Sequence, residues 1–477
     1  MGSVPPPAPV TVRLWSLSED VLVEDDPVTE SLIVVTRWGE SRVDAGAAAR
    51  ALLRRLVLGP VSLANVLASD ADPAVPQVLA GLLETLRGAV VHSLGLPDGQ
   101  APLLSATPAV AAPSFRPTAL DPARPVRLSR FASLRPQAGG LLVEAPDAAY
   151  RVLLHEQPAV RITAGLAAAG RLADVAGAAG VAAPIVADVL AFVVAAGVAQ
   201  VADPDGRFGE DTEPALTRWA HHELLFHMRT RTWHVEEPAG LRGGSPDPKP
   251  AQLTRAVPPG RRFHLYRPDL DELARADESL TALLEADHHC PTFATRHLTA
   301  GQVGELLFRS ARVRSTGPAL PPSMGQDEAT QRPYFNIACR YELELYVSLN
   351  RCAGLPRAIY HYDPSTHSLT MVREDPADLA TLLDLAKVAA ASSRQPAALI
   401  TMTARMERLS PVFGGASYAT ALMHVGALQQ TLYLCAKAMG LTAHGVVVDA
   451  SDTVDRLLPL EWPGEVGVGE CVVDLAP

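Results

Sequence analysis

Apolar and polar positions change period along this chain, and the changes mark out its elements. Near the start Val10, Val12 and Leu14 alternate with polar residues, and Leu32-Ile33-Val34-Val35 follow as an apolar run. Period-two spacing of β-branched residues predicts strands. The period then lengthens: Ala49, Leu52, Leu53 and Leu56 recur on one helical face behind Asp44 as a cap. Gly59-Pro60 stops that helix, and Ser62 is placed to cap a second one carrying Leu63, Val66 and Leu67. Strands followed by helix-turn-helix predict a small winged-helix-like module over 1–112.

A Pro-rich stretch, 107–125, reads as a linker. Strand patterns return at 126–134, 141–144 and 150–154, and a helix over 182–196 ends at Gly197. This second module, 126–205, repeats the first in outline. A helix within 213–235 and a Gly/Pro/Ser-rich linker make up 206–260. The last domain, 261–477, alternates the two periods. Helices are predicted at 298–313, 376–393 and 416–439, and strands over 332–362, 398–403 and 445–448. The fold class is therefore α+β.

The chain has 477 residues, 48% hydrophobic and 19% charged, as in an ordinary globular protein. A net charge of −11 gives nucleic-acid binding no electrostatic support. The helical Leu52-Leu53-Arg54-Arg55 adds only two cations, so a regulator built on these modules is set aside. Five cysteines lack CxxC spacing and read as free thiols of a reducing compartment. The N-terminus has no secretion signal, and the apolar stretch 184–201 is broken by Asp188. A cytoplasmic protein without a membrane partner is expected. His221, His222, His227 and His234 lack a two-turn HxxxH pair with a carboxylate base, so no metal site is expected. The Gly-rich 464–469 reads as a loop, because no helix follows it to cradle a phosphate.

One segment carries more than pattern. Arg332-Pro333-Tyr334, then Leu343-Glu344-Leu345-Tyr346-Val347, resembles the strand that opens Arg-Pro-Tyr-Pro-Ser-Gly-Gly in the SagB/McbC-type dehydrogenases of the nitroreductase superfamily. Gly426, Gln430 and Thr431-Leu432-Tyr433-Leu434 resemble that family's Gly-His-x-x-Gln-Asn-Leu-Tyr-Leu run, and Lys437-Ala438-Met439-Gly440-Leu441 its helix end. Arg405 and Tyr418 keep their places. The stretch LSRFASLRPQAGGLLVEAP is similar to the entry of the N-terminal region attached to such enzymes, and the first module resembles domains that hold leader peptides.

The resemblance implies a nitroreductase-like domain that dimerises and carries flavin mononucleotide (FMN) at each end of the interface. It implies oxidation of thiazolines or oxazolines to azoles in a ribosomally made peptide. Hydride would pass to the flavin while a base removes the neighbouring proton. Arg332, Asn336 and Gln430 are the implied flavin-facing residues, although a strand-end turn for Asn336 and an interhelical role for Gln430 stay open.

Departures from the family gather where the cofactor belongs. The family's phosphate-binding Arg-Arg-Ser-x-Arg reads Asp287, His288, His289, Cys290 and Pro291, leaving His288 and His289 as substitutes, with Arg296, Arg309, Arg312 and Arg314 nearby. Its Lys-Tyr pair reads Val412-Phe413, which cannot move a proton, and the following arginines are Ala416 and Ala419. Pro-Ser-Gly-Gly has become Phe335-Asn336-Ile337-Ala338. An active enzyme would then draw its proton acceptor from Tyr418 or from His288 and His289. The alternative is a catalytically degenerate subunit that scaffolds an active paralogue or binds the precursor peptide. Expected partners are an azoline-containing precursor peptide, a second copy or an intact paralogue, and a cyclodehydratase.

Overall fold

The alternating N-terminal segments form strands, and most of them join one sheet. The computed structural model describes residues 10–26, 31–43, 47–62, 65, 75–97, 99, 101–231, 252–286, 293–318, 328–448 and 451–476. It divides into two compact units, Met1–His234 and Val235–Pro477.

In the first unit the strands are β1 (Val12–Leu17), β2 (Leu22–Asp25), β3 (Leu32–Thr36), β4 (Gly39–Val43), β5 (Val61–Ser62), β6 (Val90–Gly95), β7 (Pro102–Pro108), β8 (Val126–Leu128), β9 (Ser133–Gln137), β10 (Gly140–Glu144), β11 (Tyr150–Leu154) and β12 (Ala199–Val201). A seven-stranded sheet runs β5-β1-β6-β7-β11-β10-β9, so both sequence modules share a continuous sheet. The join is made by β7, which pairs with β6 on one side and β11 on the other. Its residues 107 and 108 fall at the start of the Pro-rich stretch, while 109–125 crosses without helix or strand.

Two helices accompany the first half, Ala47–Leu58 and Val75–Thr85; Leu52, Leu53, Leu56, Leu79 and Leu82 are buried there with Val34 of the β2-β3-β4 meander. The Ser62 hydroxyl accepts the N–H of Asn65 at 3.1 Å, as a cap does, whereas Asp44, Leu63, Val66 and Leu67 lie outside the described residues. Helices Gln157–Gly165, Leu172–Ala179 and Ala183–Ala196 pack on the second half through Ile162, Val175, Val189 and Val193. Gly197 closes the last of them at φ +86°, in the left-handed region that glycine adopts without penalty.

The second unit is built on an antiparallel sheet of β13 (Arg262–His264), β17 (Leu343–Leu349), β19 (Ala358–Asp363), β20 (Ser368–Arg373), β21 (Ala398–Arg405), β22 (Leu441–Val446) and β23 (Glu465–Leu475), ordered β13-β20-β19-β17-β21-β23-β22. Four short strands, β14 (Leu298–Thr299), β15 (Ser315–Pro318), β16 (Glu328–Gln331) and β18 (Cys352–Ala353), pair outside it. All seven residues of the central β17 are buried, because helices cover both faces. Leu343, Leu345, Val347 and Leu349 face helices Ala300–Ala311 and Ser417–Ala438, while Tyr346 shares its cluster with Leu379, Leu382 and Leu383 of helix Pro376–Ala389. Thr299 caps its helix through a full capping box with Gln302.

The unit is thus α+β, a central sheet flanked by helices. Among the described residues no single helix is long and apolar enough to cross a membrane. Residues 465–469 of the stretch expected to be a loop instead form the start of β23, paired with β21. Glycines favour turns, but here they permit close approach: a Cβ on Gly469 would sit 2.7 Å from Val425 Cγ1.

Candidate functional site

The segment that replaces Pro-Ser-Gly-Gly turns the chain into β17 and is held by buried polar groups. Asn336 Oδ1 accepts the backbone N–H groups of Arg340 at 2.7 Å and Tyr341 at 3.1 Å. Its oxygen is thereby fixed, and its amide nitrogen donates to Glu342 Oε2 at 3.0 Å. His424, in the middle of helix Ser417–Ala438, accepts the N–H of Ile337 on Nε2 at 2.8 Å. Its proton therefore sits on Nδ1, which donates to Glu342 Oε1 at 2.7 Å. With that tautomer the 2.9 Å approach of Asn336 Nδ2 to His424 Nδ1 brings two donors together and is a contact, not a bond. Glu342 and His424 are both 0% exposed.

This network stabilises a strained turn. Ala338, Cys339 and Tyr341 all have positive φ, at 58°, 52° and 43°. Each such residue costs about 1–2 kcal/mol when it carries a Cβ. Glycine, lacking a Cβ, would adopt the Ala338 backbone without that cost.

A second polar group continues along the same sheet. Glu344, Tyr346 and His361 face the side opposite the Leu343 row, with Thr403, Arg405 and Glu465 beside them on β21 and β23. His361 Nε2 donates to Glu344 Oε2 at 2.9 Å. Burial alone would raise the Glu344 carboxyl, but His361, Arg332 and Arg405 outweigh it and hold it below the usual value. Glu465 takes Thr403 Oγ1 at 2.6 Å, Tyr346 OH at 3.4 Å and an ion pair from Arg255; burial still raises it. Arg408, 1% exposed, donates to the Arg340 carbonyl at 2.5 Å and the Gln252 carbonyl at 2.7 Å.

The sequence-predicted site residues are scattered through this arrangement. Arg332 is 5% exposed and donates from Nη1 to the Leu343 carbonyl at 3.2 Å, while Nε and Nη2 have no partner. Asn336 spends its hydrogen-bonding groups on the turn. Gln430 is on the exposed face of its helix, whereas its neighbour Gln429 turns inward and donates to the Glu470 carbonyl at 3.1 Å. Tyr418 is 42% exposed and lines a pocket of about 310 Å³ with Val425, Gln429, Val446, Asp455 and Glu470. His288 and His289 lie outside the described residues, as do Asp287, Cys290 and Pro291. Val412 is buried in the core.

The cations that follow 287–291 in sequence are mostly committed. Arg309 pairs with Asp277 and Glu305, Arg296 donates to the Ala476 carbonyl, and Arg312 donates to the Phe308 carbonyl and lies over its ring at 4.0 Å. The pocket beside Tyr418 has two carboxylates and no cation in its wall. A flavin phosphate is a dianion and needs fixed positive charge, so the residues described around this pocket do not fit FMN. Among the described residues no cluster of His, Cys, Asp and Glu could hold a metal ion.

Sequence reasoning missed Glu342, His424 and Glu465. A signal for His424 was present: it is a polar residue on the apolar stripe of Ala421, Val425 and Leu428, and a buried polar position needs a partner.

The cyanobactin oxidase ThcOx family model matches residues 126–236. A putative nitroreductase of Methanocaldococcus jannaschii is 22% identical over 205 residues, which are 43% of this chain and 94% of that protein. Among solved structures, a putative nitroreductase of Ralstonia eutropha is 19% identical at a TM-score of 0.36, covering 48% of this chain and 98% of that one. The E. coli microcin synthetase McbBCD complex with truncated pro-MccB17 bound is 14% identical at a TM-score of 0.33, over 45% and 85%.

Three outcomes test this geometry. Ala338→Gly relieves the left-handed strain and should raise unfolding free energy by about 1 kcal/mol or less, read from a urea midpoint. His424→Ala strips Glu342 and the Ile337 N–H of their buried partner and should cost on the order of 3 kcal/mol in the same assay. Glu470 is pushed up to about 7 by burial from an ordinary 4.5. The folded chain then holds that proton more tightly than the unfolded one, so stability from this group is complete below pH 4.5 and is lost as pH rises to about 7. Glu470→Gln should remove that share of the decline, so the variant gains on the parent across this window in urea midpoints taken at several pH values.

Proposed function

We propose, for a chain that belongs to the SagB/McbC-type branch of the nitroreductase superfamily, a place in modified-peptide biosynthesis as a peptide-handling subunit that does not hold its own flavin. The observation that carries this reading is the pocket beside Tyr418: Asp455 and Glu470 line it, no cation does, and the turn that replaces Pro-Ser-Gly-Gly is closed by its own Asn336. Val412 and Phe413 at the Lys-Tyr position cannot exchange a proton. What remains is framework: a sheet buried on both faces and a long helix whose Tyr418, Leu422 and Met423 are exposed, with Phe335 at 71% exposure on the neighbouring turn. Such an apolar face suits another subunit, either a second copy or a paralogue with an intact flavin site.

A second reading is FMN-dependent oxidation of thiazoline or oxazoline to the azole by this chain itself. It is favoured by Arg332, whose buried Nε and Nη2 have no hydrogen-bond partner and could donate to an anion. In that case the protein would supply orientation and electrostatics while the flavin takes the hydride.

The purified protein, incubated with FMN and desalted, is expected to show no flavin absorbance in the visible while remaining folded. Retained yellow colour would overturn the first reading in favour of the second.

A further inference from the structure

The first unit contains a pocket that none of the chemistry above uses. It has a volume of about 320 Å³ and lies where the two modules meet. One wall comes from Arg13 and Trp15 of β1 and His92 of β6, which stand on adjacent strands with Trp15 opposite His92. Glu84 and Arg87 come from the end of helix Val75–Thr85 and just beyond it. Tyr150 of β11 and Phe192 belong to the second module, and Phe115 and Arg116 to the connection between them.

The floor is aromatic. His92 stacks on Phe115 with centroids 4.3 Å apart and planes 18° apart, and Phe115 meets Tyr150 and Phe192 edge-on at 5.0 and 4.7 Å. Burial, with Arg13 adding to it, lowers His92 to about 4, so its imidazole is neutral at physiological pH. The rim is cationic. Arg13 donates to the Pro117 carbonyl, Arg87 pairs with Glu84 at 2.7 Å, and no ion pair or side-chain hydrogen bond ties the exposed Arg116 to another described residue. Three guanidinium groups face one carboxylate in a chain whose net charge is −11. Tyr150 supplies an independent mark: it is 1% exposed, and its hydroxyl has no hydrogen-bond partner. A buried hydroxyl left unpaired is costly unless something occupies the space beside it.

We infer that this pocket binds a short acidic peptide segment, with an aromatic or apolar side chain on the His92-Phe115-Tyr150 floor and a neighbouring carboxylate against Arg116 and Arg13. A carboxylate suits the rim better than a phosphate dianion, because Glu84 stands among the cations and repels the second charge. The volume matches one or two residues of an extended peptide, which makes the pocket an anchor point within a longer contact. The inference rests on the peptide-handling reading above and gives it a location.

The test is calorimetric titration of the full chain with acetyl-Asp-Phe-Glu-Leu-amide and with its neutral counterpart acetyl-Asn-Phe-Gln-Leu-amide. The acidic peptide should bind about tenfold more tightly or better, and the difference should shrink as salt is raised. Arg116→Glu should abolish the preference. Tyr150→Phe should weaken binding roughly five- to tenfold without lowering the melting temperature, because the hydroxyl it removes has no partner in the free protein. Equal binding of the two peptides, or tighter binding of adenosine monophosphate than of the acidic peptide, would overturn the proposal. Acidic-peptide binding that survives both substitutions would also overturn it, while leaving peptide handling to another surface. The flavin measurement reads the other unit, so its result does not depend on this one.

Discussion

The contact on which the C-terminal unit depends is the hydrogen bond between His424 and Glu342, two side chains with no exposure to solvent. One belongs to the longest helix among the described residues, the other to the residue just before the central strand. Each is prohibitively placed alone, since a buried polar group without a partner loses its hydration for nothing. Together they fix helix against strand at one register. Asn336 and the Ile337 N–H complete the set, so the turn at 336–341 cannot relax without breaking it. Three left-handed residues in six are tolerated because the surroundings determine them so fully.

From that fixed point the polar half of the sheet follows. Glu344 is the second residue of the central strand, and the period of two sends it away from the Leu343 row. His361 and Thr403 stand beside Glu344 on the flanking strands, Glu465 lies one strand further on, and Arg255 reaches it from outside the sheet. These groups mostly answer one another, while Arg332 keeps two buried nitrogens without a hydrogen-bond partner.

Much of the architecture was legible because it rests on apolar periodicity. The helices at 183–196, 300–311, 376–389 and 417–438 each show their buried face in the sequence, and Thr299 and Gly197 announce their ends. Local patterns could not show that β7 would weld two modules into one sheet, since edge-to-edge pairing is a long-range choice. Nor could they show that a glycine-rich run would be a strand: at 464–469 glycine serves the approach of Val425 to the backbone, not a turn. The site was the least legible part. Asn336 was visible as a departure from a motif, but its oxygen faces backbone N–H groups four and five residues on, and that orientation comes only from the turn.

The two units therefore display opposite uses of buried polarity. In the C-terminal unit, Glu342, His424 and Asn336 satisfy one another, and ligand binding there would have to compete with bonds already made. In the N-terminal unit, Tyr150 and Arg116 are left without such bonds beside an open aromatic floor. Polar groups that are satisfied internally give rigidity and register; those left unsatisfied at a cavity give affinity for whatever can satisfy them. The first arrangement fixes a helix against a strand; the second leaves donors beside a cavity, and the proposals above rest on that difference.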